Sequence, residues 1–248
     1  MELLQPEYKT FISPLIDWKV LDIQSFMNNS HFEKFKNYKY AVKILQRLRN
    51  KNILKVYRCA FNRKNYYYLT KHSMNILGGQ NNALLNDETI FHDAMVSSLC
   101  LSLKDLKKVV LSIDLEHKIK MVNSQSKFDE IIPDARLIGK FNNHNFCSAI
   151  EIELHQKEKS RIIAKANNYL KSSIYDYVFY FFPDDRTLKN YDKILKEGVG
   201  DFYNQKIFLF TAPDIMNGKN SLNGGNGLVK GEQKNIYELF SYKNEPVH

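Results

Sequence analysis

The chain has 248 residues, with 36 Lys+Arg against 27 Asp+Glu and a formal net charge of +9. That length suits one large domain or two modest ones. A hydrophobic share of 44% and an aromatic share of 13% supply a packed core, which excludes wholesale disorder. No apolar run approaches the roughly 20 residues of a membrane span; the most apolar stretch, 178–182, is strand-sized. The first residues, MELLQPE, lack the basic-then-apolar profile of a secretory leader. Cys59, Cys100 and Cys147 are scattered and odd in number, so they offer neither a disulfide framework nor a CxxC zinc site. The expectation is a soluble protein of a reducing compartment.

The charge is concentrated. Residues 1–85 carry 14 Lys+Arg against 5 Asp+Glu, and residues 86–248 carry 22 of each. An excess confined to one segment points to a polyanionic partner, because lysine and arginine displace counterions condensed on phosphate. An idle basic surface is the alternative.

In chain order, residues 1–19 show no clear periodicity and read as an arm. Leu21 to Asn28 reads as a short helix. His31 to Asn52 is the clearest helix of the first third, with Phe35, Tyr38, Ala41, Val42, Leu45 and Leu48 at 3-and-4 spacing. Lys39, Lys43, Arg47 and Arg49 stand among its other positions. A strand at 54–61, a basic turn at 62–65 with Arg63 and Lys64, and a second strand at 66–70 follow. Helices and then a basic-tipped hairpin are the order of a winged helix, whose helix enters a groove while the wing touches backbone. Arg63 and Lys64 then suit phosphate contacts. Use of the same module for protein contacts is the rival reading.

Residues 71–86 read as a connector with turn material at 78–82. A helix follows from about Asp87 to Leu103, capped by Asn86 or Asp87. Strands are expected at 109–119, 132–141 and 146–154, the last two joined by the polar turn 142–145 as a hairpin. Then come a helix at 158–172, a buried strand at 176–182, a helix at 186–197 and a strand at 205–211. Beyond Pro213 the chain is rich in Asn and Gly, and a loop or frayed tail is expected. The divisions are an arm at 1–19, a winged helix at 20–85, a core at 86–212 and a tail at 213–248. The fold class is α/β, the core having a helix, a three-stranded mixed sheet, a helix and a strand.

The stretch around Pro133-Asp134-Ala135 and Ile150-Glu151-Ile152-Glu153-Leu154 carries the chemistry. Residues two apart in a strand share a face, so Glu151 and Glu153 point one way while Ile150, Ile152 and Leu154 fill the core. Adjacent carboxylates repel unless compensated. With Asp134 at the start of a neighbouring strand, three oxygen donors converge and suit Mg²⁺ or Mn²⁺, which assist phosphoryl chemistry. A solvated strand face is the alternative. Arg161 and Lys165, four apart on the next helix, share a face that reaches back toward a phosphate; Lys157 is a rival for that role. His92 and Asp93 are open between an extra ligand or base and capping or packing. The seven histidines do not cluster, and fifteen tyrosines single out no nucleophile. No Gly-rich phosphate loop, GxSxG or HExxH is present.

These residues resemble the PD-(D/E)xK nuclease motif, with Pro133-Asp134 as its first half and Glu151-x-Glu153 as its second. Glu153 stands where the common form of that family has lysine, so the resemblance implies that Lys157 or Lys165 supplies it. More specifically, residues 20–211 resemble the replication-relaxation proteins and MobC-class relaxases of mobilisable plasmids. In these a winged-helix region precedes a PD-(D/E)xK-like core. The matching pieces are 57–70, Phe91-His92-Asp93, Pro133-Asp134-Ala135, Glu151-Ile152-Glu153 and the segment from Arg161 to Tyr169. The resemblance implies metal-dependent nicking of one DNA strand at a plasmid transfer or replication origin, in the bacterial cytoplasm. Its implied partners are double-stranded origin DNA and accessory mobilisation proteins. Asp134, Glu151 and Glu153 would hold Mg²⁺ or Mn²⁺, and Lys165, Lys157 or His92 would assist. A catalytically silent DNA-binding regulator is the alternative, and a protein-interaction module a third.

Overall fold

The computed structural model describes residues 4–79, 85, 89–123 and 131–240. The expected cap at Asn86 or Asp87, and residues 80–82 of the expected turn, lie outside these. The chain is an α/β protein with a three-stranded antiparallel sheet and a seven-stranded mixed sheet. It divides into two compact units, residues 1–101 and 102–248. Among the described residues no helix is long and apolar enough to cross a membrane.

The first unit begins with helices, not an arm. α1 (Pro6–Ile12) and α2 (Pro14–Trp18) each open on a proline, which is pre-organised for a first helical position. They bury Phe11, Ile12, Leu15 and Trp18. After β1 (Val20–Asp22) comes α3 (Ile23–Asn29), capped by the Asp22 carboxylate, which accepts the Ser25 N–H. The long helix expected over 31–52 is broken. α4 (Glu33–Lys36) ends at Asn37, whose side chain caps α5 (Tyr38–Asn50) by accepting the Tyr40 N–H. Ala41, Ile44, Leu45 and Leu48 of α5 are buried, while Lys39, Lys43, Arg47 and Arg49 are exposed. Phe35 stacks on Phe11 with centroids 4.2 Å apart, tying α4 to α1. β2 (Leu54–Arg58) and β3 (Asn65–Leu69) form the hairpin, and β1 pairs with the outer side of β3, giving the order β1-β3-β2. α6 (Lys71–Ile76) follows, and then α7 (Ile90–Lys104). Ser97 Oγ of α7 donates to the Trp18 carbonyl, and Asp93 accepts from Lys19 at 3.0 Å. These contacts tie α7 to the first unit, although the expected division at 86 places it in the core.

In the second unit the expected strand at 109–119 is β4 (Val110–Leu115) followed directly by α8 (Glu116–Asn123). β5 (Ala135–Phe141) and β6 (His144–Ile152) form the expected hairpin. Asn142 and Asn143 at its tip take φ of 48° and 64°, the paired positive values of a tight two-residue turn that asparagine tolerates. α9 (Lys159–Lys171), β7 (Tyr177–Phe182), α10 (Asp185–Gly198) and β8 (Ile207–Thr211) complete two parallel crossovers. α9 and α10 cover one sheet face, with Ile162, Ala166, Tyr169, Leu188, Tyr191 and Leu195 packed on Ala149, Val178, Tyr180 and Leu209.

The segment beyond Pro213 is ordered. It forms α11 (Pro213–Met216), β9 (Gly227–Val229), β10 (Glu232–Gln233) and α12 (Ile236–Leu239). β9 and β10 extend the sheet, whose order is β10-β9-β8-β7-β6-β5-β4, so the expected three-stranded sheet has seven strands. Phe240, just past α12, packs on Phe146 and Phe179 of the second sheet face at 6.1 and 6.2 Å.

Candidate functional site

The register of β5 on β6 builds the site. Ala135 lies opposite Ile150, which sets Asp134 opposite Glu151, and antiparallel partners share a face. Asp134 is held there by accepting the Ile152 N–H at 2.8 Å, while its carbonyl accepts the Glu116 N–H that starts α8. Glu153 continues the β6 direction, its N–H donating to the Phe181 carbonyl at 3.0 Å. Glu151 and Glu153 share a face as expected, but that face is not solvated. It is the one beneath α9 and α10, and the two residues are 1% and 2% exposed.

Burying two carboxylates is costly unless each is paired, and α9 with the connector before it supplies the partners. Lys165 and Tyr169 stand four apart on the inward stripe of α9. Lys165 Nζ meets Glu151 Oε2 at 2.6 Å, and the Tyr169 hydroxyl donates to Glu151 Oε1. Lys157, on the connector, meets both oxygens of Glu153, at 2.9 Å to Oε1 and 2.8 Å to Oε2. Lys165 also lies 3.9 Å from Glu153 Oε1, so it links the two pairs. Thus both candidate lysines take part, each on its own acid.

The electrostatics follow from depth. Burial and the nearby Asp134 charge push Glu151 up to about 7, against the opposing pull of Lys165 and the Tyr169 hydrogen bond. At Lys165 burial opposes the charge, yet Glu151, Asp134 and Glu153 outweigh it and raise its pKa. The two partners respond differently because Glu151 is sealed, whereas the Lys165 side chain keeps 30% of its exposure. Tyr169, Tyr180 and Tyr191 line the same region, and burial together with the glutamates holds their hydroxyls protonated.

The structure thus brings together Asp134, Glu151, Glu153, Lys157 and Lys165. Arg161 lies on the exposed side of α9 and takes no part in the described contacts of the cluster. His92 belongs to α7 and the first unit, whereas the contacts just described all lie in the second. The expected three-carboxylate ligand set is not formed as arranged. Among the described residues no group of three or more His, Cys, Asp or Glu side chains is placed to hold a metal ion. The glutamate oxygens face ammonium groups and a phenol instead. These residues, in this conformation, do not fit Mg²⁺ or Mn²⁺.

Of the basic candidates in the first unit, Lys39, Lys43 and Arg47 follow one another at i, i+4 and i+8 along α5, so they share its exposed face. Arg47 lies over the Tyr8 ring at 5.9 Å, and Arg49 occupies a separate exposed position. At the hairpin turn the two expected contacts part ways. Arg63 is exposed, with φ of 58°, but Lys64 Nζ is drawn to the buried Asp22 carboxylate at 2.5 Å. Asp22 thereby caps α3 and pins the turn at once.

The tyrosines were not legible in advance, because fifteen candidates share one chemistry. The signal for Tyr169 is its i+4 spacing from Lys165 on the apolar stripe of α9. No family model, curated protein or solved structure matches the chain.

Proposed function

We propose that this protein binds double-stranded DNA through its first unit and cleaves a phosphodiester bond at the carboxylate–lysine cluster of its second. The first unit is read as a winged helix: the order α1/α2, β1, α3, α5, β2, β3 with the sheet β1-β3-β2 supports it, and α5 is the groove-facing helix. The second unit is read as a PD-(D/E)xK-like core. The observation that carries the reading is the convergence of Asp134, Glu151, Glu153 and Lys165 at one end of the β5–β6 hairpin. A mixed sheet with crossover helices positions that end.

The chain's own groups divide the work by depth. Lys157 and Lys165 are the exposed layer that a phosphate meets first, and their charge suits a developing phosphoryl anion. Glu151, with a pKa of about 7, holds or releases a proton near neutral pH. The resemblance to replication-relaxation proteins and MobC-class relaxases supports nicking at an origin as the biological form of this activity. The same resemblance implies Mg²⁺ or Mn²⁺, which the lysine-paired carboxylates do not fit as arranged.

The pairing of both buried glutamates with lysine favours a second reading, a DNA-binding regulator in which the cluster only holds the core together. Supercoiled plasmid carrying a transfer or replication origin, incubated with Mg²⁺ or Mn²⁺, separates the two. Nicking by the wild type that Glu151→Ala abolishes supports the enzyme. Binding by both proteins with no nicking under either cation supports the regulator.

A further inference from the structure

The sheet face away from α9 and α10 carries a cavity of about 500 Å³, within the roughly 300–1,000 Å³ range of small-molecule sites. Phe146 lines it near the start of β6. Glu151 lies five residues further along that strand, so alternation puts the two on opposite faces and about 17 Å apart. The cavity is thus separate from the carboxylate–lysine cluster. Six rings make its wall: Phe141, Phe146, Tyr177, Phe179, Phe208 and Phe240. They brace one another, with centroids 6.0 Å apart for Phe146 and Tyr177, 5.4 Å for Tyr177 and Phe208, and 6.1 Å for Phe141 and Phe240. Phe146, Phe179 and Phe208 are buried, while Phe141, Tyr177 and Phe240 are half-buried. Gly139 makes room for this wall, since a Cβ there would lie 2.3 Å from the Phe146 ring. Two ammonium groups and one carboxylate complete the lining. Lys234 pairs with Glu232 at 2.6 Å. Lys230, in the turn between β9 and β10, is exposed and makes no ion pair among the described residues. Asp176 Oδ2 accepts the Cys147 N–H at 2.7 Å, and Oδ1 accepts from no described group.

We propose that this cavity binds a purine nucleoside monophosphate, with its ring stacked on the aromatic wall, its phosphate on Lys230 and Lys234, and its exocyclic amine donating to Asp176. Each part of the lining answers one part of that ligand. Aromatic rings take a flat base on its π-face, ammonium groups take phosphate oxygens, and a carboxylate oxygen takes an N–H. The volume suits one nucleotide and not a duplex, so the occupant is the free mononucleotide. This site goes beyond the nuclease reading and does not depend on it.

The test is titration calorimetry on the full chain with AMP, GMP, adenosine and a short oligodeoxyadenylate, comparing wild type, Lys230→Asn and Phe141→Ala, with circular dichroism to confirm folding. Lys230 has a φ of 52°, which asparagine adopts readily, so Lys230→Asn removes the charge and keeps the turn. Wild type is expected to bind AMP and GMP. Lys230→Asn is expected to weaken AMP about tenfold and to leave adenosine unchanged. Phe141→Ala is expected to weaken AMP and adenosine alike, by about fivefold or more. No heat from AMP or GMP at millimolar concentration overturns the inference, as does an AMP affinity that Lys230→Asn leaves unchanged. Oligodeoxyadenylate binding tighter than AMP and lost in Phe141→Ala overturns the free mononucleotide in favour of an unpaired base of a strand. None of these outcomes bears on nicking, so the nuclease reading stands or falls separately.

Discussion

At the scale of single residues, the cluster turns on Glu151. Its pKa is raised from the ordinary 4.5 to about 7, first by burial and then by Asp134, so the folded state prefers the protonated acid. The stabilisation this gives is complete below about pH 4.5 and is lost as pH rises through about 7. Glu151→Gln, neutral throughout, lacks that loss. Urea unfolding between pH 4.5 and 8 is expected to show wild type falling against Glu151→Gln by up to about 3 kcal/mol, with the difference level above pH 8. Parallel pH profiles contradict the assignment. Tyr169→Phe removes the hydroxyl that serves the other oxygen of Glu151, and is expected to cost about 1–3 kcal/mol at neutral pH in the same assay. Much of this site was legible. Strand periodicity places Glu151 and Glu153 together, and the order of the hairpin adds Asp134. What sequence could not assign was which lysine meets which acid. That depends on the path of residues 154–158 and on a face being sealed by α9 and α10, and neither leaves a periodic trace.

Elements show the same division between periodic signals and packing. α5 falls in the segment whose 3-and-4 spacing marks a helix, whereas α1 and α2, with 7 and 5 residues, are too short to show a period. A loop or frayed tail is the expectation after Pro213, because Asn and Gly usually mark loops. Here the glycines permit close approach instead: a Cβ on Gly225 would lie 2.2 Å from the Thr211 carbonyl oxygen, while one on Gly224 meets nothing nearer than 3.5 Å. Gly225→Ala is therefore expected to destabilise by about 1–3 kcal/mol, and Gly224→Ala to be near neutral, as measured by thermal or denaturant unfolding. Equal, negligible effects mean that this segment does not pack on β8. For α5, replacing Lys39, Lys43 and Arg47 together by alanine is expected to weaken DNA binding and lower the slope of log affinity against log salt by about 3. An unchanged slope means that α5 does not face the phosphates.

For the whole molecule, the net charge of +9 resolves into two parts. Residues 1–101 carry 14 Lys+Arg against 8 Asp+Glu, and the second unit, residues 102–248, carries 22 against 19 and holds the buried carboxylates. On the proposed function, affinity belongs to one unit and chemistry to the other. The decisive measurement is the rate of plasmid nicking as a function of protein concentration, for wild type, the α5 triple variant and Glu151→Ala. The α5 variant is expected to shift the curve to higher concentration with its plateau preserved. Glu151→Ala, folded and binding DNA as wild type does, is expected to abolish the plateau. Nicking by Glu151→Ala at the wild-type rate, or no nicking by any of the three, contradicts the proposed function.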